Sequence, residues 1–568
     1  MPEREAADGR KATRPLPAQA VEGLLAAIET AGPWQLRLMT FTAGLASVLA
    51  MPPFHFWPVL WLTLPVLLVA LEAAARSAWP RGRIAFWRRW PLGRAGEIGW
   101  WFGFGYHVAG LFWIGEAFLV EAEVFAWLLP FAVTLLPAGL ALFTALAAAS
   151  TAAVGTSRMI ERAALLAIAL SVGEWLRGHV LTGFPWNVLG TALTYPLALM
   201  QSAALVGIYG LTVVAVIVFA APFAILSDAL KDKCSPRMWT ALLVAAGPLL
   251  VMWGFGAWRL ADGPQPVGAH PKVRLVQLSI PQRDRLDPAN IRSHFDRHLA
   301  MSLTAPDGQI DDAAGVDVIV WPEAAMPFLP LAQPVALEAI GAMLPQGATL
   351  VSGALRLETD AAGRRSVFNS LLVFDGGAGV AKPVAIYDKL HLVPFGEYLP
   401  MQGLLEAIGL QQLTRQRGGF TAGQGPRRPI AIPGLGGVLP LICYEVIFPE
   451  VAGLNRRADL VLTITNDGWF GNTTGPRQHY HQARIRAVEL GIPMIRASSN
   501  GISGLIDGRG RELGRLELNA VGTLDVVPPK PLPATPYARW GDRIYAALLA
   551  LVGGWLFWRR RTGRNVPE

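Results

Sequence analysis

Apolar residues fill the first half of the chain in long runs, at residues 34–53, 56–75, 99–119, 125–154, 163–181, 196–226 and 238–258, and another follows at 541–558. Most reach the roughly 20 residues that an α-helix needs to cross about 30 Å of hydrocarbon. The pattern predicts an α-helical transmembrane bundle of eight spans, seven of them before a region of different grain and one after it. From about residue 270 to 530 the apolar runs shorten to strand length, at 273–280, 316–321, 349–355, 366–374, 438–442 and 460–465. Helical spacing appears between them at 334–343 and 478–490. Strands alternating with helices predict an α/β domain built on a central sheet. The Pro-rich residues 527–536 read as a stiff linker back to the last span. The chain thus divides into four segments: a polar N-terminal segment (1–33), spans 1–7 (34–261), the α/β domain (262–536), and span 8 with its tail (537–568). Residues 1–33 hold no compact apolar core followed by a small-residue cleavage site, so no cleaved signal peptide is expected.

Charge gives the spans a direction. Arg4, Arg10, Lys11 and Arg14 precede span 1, and Arg76, Arg81, Arg83, Arg88, Arg89 and Arg94 lie between spans 2 and 3. Arg158 and Arg162 join spans 4 and 5, Lys231, Lys233 and Arg237 join spans 6 and 7, and Arg559, Arg560, Arg561 and Arg564 follow span 8. The alternate loops are poor in cations: residues 51–56 have none, and 120–124 carry Glu121 and Glu123. By the positive-inside rule both termini are cytoplasmic and the α/β domain faces outward. Composition agrees, with 52% hydrophobic and only 16% charged residues, where soluble domains carry about 25%. The net charge of +8 sits in loops between spans, which argues for membrane topology and against nucleic-acid binding. The 20 tryptophans read mostly as interface anchors. Cys234 and Cys443 fall on opposite sides of the bilayer in this topology, so each is a free thiol.

Three polar residues stand at the ends of apolar strands, where α/β domains place their sites. Glu323 follows Val318-Ile319-Val320-Trp321-Pro322, Lys389 lies in Tyr387-Asp388-Lys389-Leu390-His391, and Cys443 ends Val438-Leu439-Pro440-Leu441-Ile442. A thiol nucleophile needs a base, and its tetrahedral adduct needs a cation or N–H donor for the oxyanion. Glu, Lys and Cys can supply all three. Taken singly, such a cysteine is more often a small core residue, and a loop Glu or Lys is nearly always solvated surface. Lysine is scarce, however, with seven among 49 basic residues, and an amine can be tuned where a guanidinium cannot. His479 and His481 are two apart, which suits one strand face, but no neighbouring Cys or carboxylate completes a zinc set. No metal is expected. Glu174 and Arg177, at helical i,i+3 spacing near the outer end of span 5, are at least as readily a structural pair as a substrate contact.

The strings around these residues carry a resemblance. Trp321-Pro322-Glu323, Lys389-Leu390-His391-Leu392-Val393-Pro394-Phe395-Gly396-Glu397 and Cys443-Tyr444-Glu445 resemble the Glu–Lys–Cys motifs of the nitrilase superfamily. Asn466-Asp467-Gly468-Trp469-Phe470-Gly471 and Arg496-Ala497-Ser498-Ser499-Asn500-Gly501 are similar to that pattern too. The resemblance implies an αββα sandwich with Glu323 as general base, Lys389 stabilising the tetrahedral intermediate and Cys443 forming a thioester. It implies supporting carboxylates at Glu397 and Glu445, and a backbone N–H of Tyr444 for the oxyanion. Glu174-Trp175-Leu176-Arg177-Gly178 and Thr182-Gly183-Phe184-Pro185-Trp186, with spans on both sides of the domain, look like the apolipoprotein N-acyltransferase family. That likeness implies a ping-pong enzyme of the bacterial inner membrane with a periplasmic catalytic domain. Its acyl donor would be a phospholipid, its acceptor a diacylated apolipoprotein, and it would act as a monomer without a cofactor. Two positions depart from the family pattern: Ser279 stands where Asn is usual, and Leu286 where a Trp is.

Between Lys389 and Cys443 lies an apolar insertion at 399–425 with Leu404, Leu405, Ile408, Leu410 and Leu413. Beside a bilayer it reads as a lid among lipid chains, and otherwise as a packed surface helix. Two rival functions stay in view. A membrane-tethered amidohydrolase would resolve the thioester with water, although a soluble substrate needs neither the insertion nor the anchor. A transporter would line a midplane pathway with charged or broken helices, and apart from Glu116 the spans offer little of that.

Overall fold

A computed structural model describes residues 16–76, 93–232, 237–264, 271–376, 379–407, 409–414, 418–453 and 458–563. Cys234, Ile408, and the cations Arg4, Arg10, Lys11, Arg14, Arg81, Arg83, Arg88, Arg89, Lys233 and Arg564 lie outside them. A long helix stands at each apolar run: Pro33–Ser47, Leu60–Arg76, Gly93–Leu111, Leu129–Ala153, Met159–His179, Ala203–Lys231, Met238–Leu260 and Asp542–Gly563. Among the described residues, four stretches are both long and apolar enough to cross a membrane: Trp57–Ala74, Ala122–Ala153, Ala203–Lys231 and Met238–Leu260. The remaining helices fall short for physical reasons. Pro33–Ser47 has only 15 residues, and Asp542–Gly563 carries Asp542 at one end and Arg560 and Arg561 at the other. Gly93–Leu111 is diluted by Arg94, Glu97, Tyr106, His107 and several glycines before the run continues as a 3₁₀ turn, Phe112–Gly115, and a single α-turn, Glu116–Leu119, while Met159–His179 carries Glu161, Arg162, Glu174 and Arg177. A further helix, Leu16–Glu29, occupies the polar N-terminal segment ahead of the first span.

Ala203–Lys231 is the axial helix of the bundle, and Leu211, Ala215, Val216, Val218 and Phe219 on it are fully or nearly fully buried. Its first turn is broken at Gly207 (φ 65°). The break needs glycine twice over, because a Cβ there would also lie 2.2 Å from the Tyr537 ring. The N–H of Ile208, freed by the break, is taken by the buried Glu489 carboxylate at 2.9 Å, a residue of the α/β domain. Burial pushes the Glu489 carboxyl up to about 8.

That domain contains twelve strands among the described residues: β1 (Val273–Gln277), β2 (Val318–Val320), β3 (Thr349–Thr359), β4 (Arg365–Asp375), β5 (Lys382–Asp388), β6 (Ile430–Ile432), β7 (Gly436–Ile442), β8 (Leu460–Thr465), β9 (Met494–Ser498), β10 (Ser503–Ile506), β11 (Glu512–Leu516) and β12 (Gly522–Val526). They form two six-stranded sheets, ordered β12-β1-β2-β3-β4-β5 and β11-β10-β9-β8-β7-β6. At the centre of each lie three parallel strands, β1-β2-β3 and β7-β8-β9, flanked by antiparallel ones. Central strands covered on both faces need apolar side chains throughout, which is why Val318–Val320 and Leu460–Thr465 are buried at every position. Val273, Leu275, Val318 and Val320 of one sheet meet Val438, Ile442, Leu462 and Ile464 of the other in a shared core. Outside the first sheet, Phe295, Ile340 and Met343 from the helices Ile291–Ser302 and Pro334–Met343 cover Val276, Ile319 and Leu350. Outside the second, the helix Gly475–Leu490 packs Tyr480, Ala483 and Ala487 beside Leu439, Leu441 and Val461. The layering is therefore helix, sheet, sheet, helix. Trp113, Leu140 and Trp186 of the helical half join the last of these cores, so the bundle and the sheet domain pack against each other there.

Candidate active site

The second sheet delivers Cys443. Strand β7 stops at Ile442, and the next residue turns into the left-handed region, with Cys443 at φ 51°. A non-glycine residue held there costs about 1–3 kcal/mol and persists only when its surroundings dictate it. Glu445 does much of that. Its fully buried carboxylate accepts from Ile442 N (2.8 Å), Leu390 N (2.9 Å), His391 N (3.1 Å), Arg427 Nη2 (2.5 Å) and Tyr387 Oη (2.9 Å). One side chain thus ties the turn after β7 to the backbone just past Lys389.

The first sheet delivers the other two. Glu323 follows β2, and Lys389 is the first residue past β5. The Lys389 ammonium is 3.0 Å from Glu397 Oε1 and 3.4 Å from Glu323 Oε1, and all three residues are buried. Asn369 on β4 donates through one amide nitrogen to both carboxylates, at 2.8 Å each. Asn466 N, past the end of β8, donates to Glu323 Oε2 at 2.8 Å, and Val393 N to Glu397 Oε2 at 2.8 Å. Strand β3 runs so close to Glu323 that a Cβ on Gly353 would sit 2.6 Å from the Glu323 Cα. The three sequence-predicted residues and both supporting carboxylates therefore converge at the strand ends of the two sheets.

Electrostatics sets the resting protonation. Burial and the Glu323 charge push the Cys443 thiol well up, only partly offset by Lys389 and a hydrogen bond with Thr465. Burial works against the Lys389 ammonium, yet Glu397 and Glu323 outweigh it and hold its pKa above the ordinary value. At neutral pH the site holds a neutral thiol beside an ammonium. The Glu323 carboxylate is among the charges felt by that thiol.

The helical half supplies a wall. Tyr444 Oη donates to Gly183 O (2.8 Å), its ring stacks on Phe184, and His391 Nε2 reaches Thr182 O (2.5 Å). Arg177 Nη1 holds the far end of that loop through Phe184 O (2.6 Å) and Trp186 O (2.8 Å). Glu174 accepts from Leu189 N and Thr212 Oγ1, at 2.8 Å each, and stands 3.9 Å from Arg177. These contacts join the helix to the loop and to the neighbouring helix within the helical half. His479 and His481 lie on a helix rather than a strand. His481 meets Thr194 Oγ1 (2.7 Å), while His479 faces Asp467 Oδ1 (2.8 Å) and Cys443 O (3.2 Å). Ser279 adopts φ 51° and donates its N–H to Ser499 O, and Leu286 ends the short helix Gln282–Leu286. Of the insertion at 399–425, residues Gln402–Ala407 are helical, with Met401 70% and Leu404 60% exposed. Its return limb is sewn to the Lys389–Glu397 loop through Leu413 N to Phe395 O, Phe420 N to Glu397 O and Gly423 N to Lys389 O.

Sequence reasoning passed over Asn369, Tyr387, Arg427 and Arg285. A lone Asn inside the apolar strand Val367–Phe374 was a readable signal. The buried Arg285, pushed down to about 10 by burial, donates to Ala324 O at 3.0 Å, and nothing in its sequence neighbourhood marks it.

Known proteins share both halves. Residues 43–221 match the apolipoprotein N-acyltransferase N-terminal domain, and residues 272–526 match the carbon-nitrogen hydrolase family. An apolipoprotein N-acyltransferase of Rhodopseudomonas palustris is 41% identical over 93% of this chain and 96% of its own length. One from Bradyrhizobium diazoefficiens is 44% identical over 96% of this chain and 98% of its own, and one from Brucella melitensis 41% over 93% and 97%. The chain belongs to the apolipoprotein N-acyltransferase family. As a member of that family it is an acyltransferase of lipoprotein biosynthesis. The two matched regions are the two halves seen here: the first takes in the Arg177 loop and the second the Glu323, Lys389 and Cys443 turns.

Proposed function

We propose that the enzyme moves an acyl chain from a phospholipid to the N-terminal amine of a diacylglyceryl-cysteine on an apolipoprotein, through a thioester on Cys443. The observation that carries this reading is the buried Glu323–Lys389–Glu397 cluster at the same strand ends as a strained, buried cysteine. Glu323 takes the thiol proton as sulfur attacks the ester carbonyl of the phospholipid. The oxyanion is met by the Lys389 ammonium and the backbone N–H of Tyr444. Collapse breaks the ester C–O bond, and the leaving lysophospholipid alkoxide takes the proton from Glu323. The lipoprotein amine then attacks the thioester, gives its proton back through Glu323, and leaves as the amide while Cys443 returns as a thiol. Glu397 holds Lys389, and Glu445 shapes the two turns; no cofactor or metal enters these steps.

The same proposal includes the membrane arrangement. Eight spans, the segments 1–33, 34–261, 262–536 and 537–568, cytoplasmic termini and a periplasmic catalytic domain in the inner membrane are supported by the alternation of cationic loops. Cys234 would then be cytoplasmic. The enzyme would work as a monomer, with the exposed Met401 and Leu404 of the insertion forming a lid against lipid chains.

Intact-mass analysis of wild type and Cys443→Ala, each incubated with phosphatidylethanolamine and no acceptor, tests the chemistry. A hydroxylamine-labile acyl adduct on wild type alone is expected, discharged by a diacylated lipopeptide into triacylated product. A folded wild type that forms no adduct would overturn the phospholipid reading in favour of an amidohydrolase.

A further inference from the structure

His479 is left without a task by the acyl-transfer steps, yet it lies directly against the nucleophile's own peptide. It is 1% exposed, and Nε2 is 3.2 Å from the Cys443 carbonyl oxygen. Its other nitrogen, Nδ1, is 2.8 Å from Asp467 Oδ1 and 3.0 Å from Arg496 Nη2. Arg496 and Asp467 are themselves paired at 2.7 Å, with neither side chain exposed. Burial opposes the Asp467 charge, but its partners, Arg496 foremost, outweigh it and hold the carboxyl well below its ordinary range. Burial and Arg496 together hold the His479 pKa below the ordinary imidazole value, so near neutral pH the ring carries one proton. Asp467 Oδ1 and Cys443 O both only accept, so the single proton serves one of them; Asp467 already accepts from Arg496, Thr465 and Ser498, and an Arg496 N–H faces Nδ1, which places the proton on Nε2.

We propose that His479 is a positioning residue for the oxyanion site: by donating Nε2–H to Cys443 O it fixes the peptide plane between Cys443 and Tyr444. In a trans peptide the C=O and the following N–H point in opposite directions. Anchoring the Cys443 carbonyl on the Gly475–Leu490 helix therefore turns the Tyr444 N–H away from that helix. Cys443 sits at φ 51°, a conformation that its neighbours must impose, and the Glu445 side chain holds the Ile442 N–H, in the peptide between Leu441 and Ile442, but neither of the two peptides that flank the cysteine. His479 supplies the missing restraint. The preceding residue ties the same helical turn to the bundle. Gln478 Oε1 accepts from Trp186 Nε1 (2.7 Å), Trp113 Nε1 (3.2 Å) and Asn187 Nδ2 (3.4 Å), and its Nε2 donates to Pro52 O (3.2 Å). The helix turn that aims the oxyanion donor is thus braced on the membrane half.

This inference rests on Cys443 acting through an acyl-enzyme, and two reactions of the same sulfur separate the claims. Alkylation by iodoacetamide needs the thiol but no oxyanion site, whereas acylation by phosphatidylethanolamine needs both. In His479→Ala the Asp467–Arg496 pair stays neutralised, so the fold is expected to hold. Single-turnover acylation of this variant should fall by about 30-fold or more, the scale of a misdirected oxyanion donor. Alkylation of Cys443, followed by peptide mass, should stay within about threefold of wild type, with KM for phospholipid similarly unmoved. His479→Gln, whose amide can carry an N–H to the same carbonyl, should recover most of the acylation rate. Acylation of His479→Ala at the wild-type rate, or a parallel loss of alkylation and acylation, would overturn the positioning role alone. A wild type that is alkylated at Cys443 but never acylated would instead overturn the thioester reading on which it rests.

Discussion

Both halves of the molecule bury charge, and they use it differently. In the helical half, Glu174 meets Leu189 N, Thr212 and Arg177, and Glu72 meets Lys231 (2.7 Å) and Arg162 (3.5 Å). Each such carboxylate closes a loop or joins two helix ends. In the sheet domain, Glu323 and Glu397 share one lysine and one asparagine, and together they leave the Cys443 thiol beside an ammonium. Buried charge alone does not mark a site, because a structural ion pair is also buried wherever its partners repay the desolvation cost. What distinguishes the second region is convergence: carboxylates from separate loops past the strand ends meet on one lysine, near a buried cysteine held in a strained conformation.

That contrast can be broken by substitution. The largest effects belong to the converging set. Cys443→Ala should abolish turnover, and Glu323→Gln and Lys389→Met should each cost at least about 10³-fold in kcat with lipid and lipopeptide substrates. Glu445→Gln comes next, because it places an amide among five donors. A loss of about 3 kcal/mol or more in chemical unfolding of the solubilised protein is expected, with most activity. In the bundle, Glu174→Gln should cost about 1–2 kcal/mol of stability but leave kcat within about threefold of wild type. A loss of turnover matching that of Glu323→Gln would erase the distinction between the two regions.

Acid stability sharpens it further. Asp467 is held below the ordinary carboxylate range in the fold, so its contribution is present above its unfolded value of about 4 and is lost as pH falls toward the folded one. Asp467→Asn should therefore lower stability at neutral pH and flatten its decline below about pH 4 in unfolding curves. The smallest effect is expected from the insertion. Met401→Ser with Leu404→Ser should lower turnover on phospholipid micelles by about two- to fivefold and leave the melting temperature nearly unchanged, since both side chains are exposed.

The sequence by itself determined the two-part plan. Eight apolar runs became eight long helices, and the six β-rich runs became β1, β2, β3, β4, β7 and β8 within a few residues. Continuous apolar runs and helical spacing are local signals, legible without neighbours. Strands β5 and β11 were not legible, because Lys382–Asp388 and Glu512–Leu516 are half-exposed edge segments whose pairing comes from the adjoining strand; β9 and β10 are buried but short, and Arg496, Ser498 and Ser503 interrupt their apolar pattern. Glu323, Lys389 and Cys443 could be read from their strings. Their meeting could not, since the chain separates the first two by 66 residues, which the strand order of the first sheet brings together, and only the packing of the second sheet on the first adds Cys443. Asn369 as a bridge, Glu445 as the clasp of two turns, and His479 against the Cys443 carbonyl were likewise decided by the tertiary structure. A hydrogen bond between distant segments leaves no period or spacing in the sequence, and it exists only once both backbones are held in place.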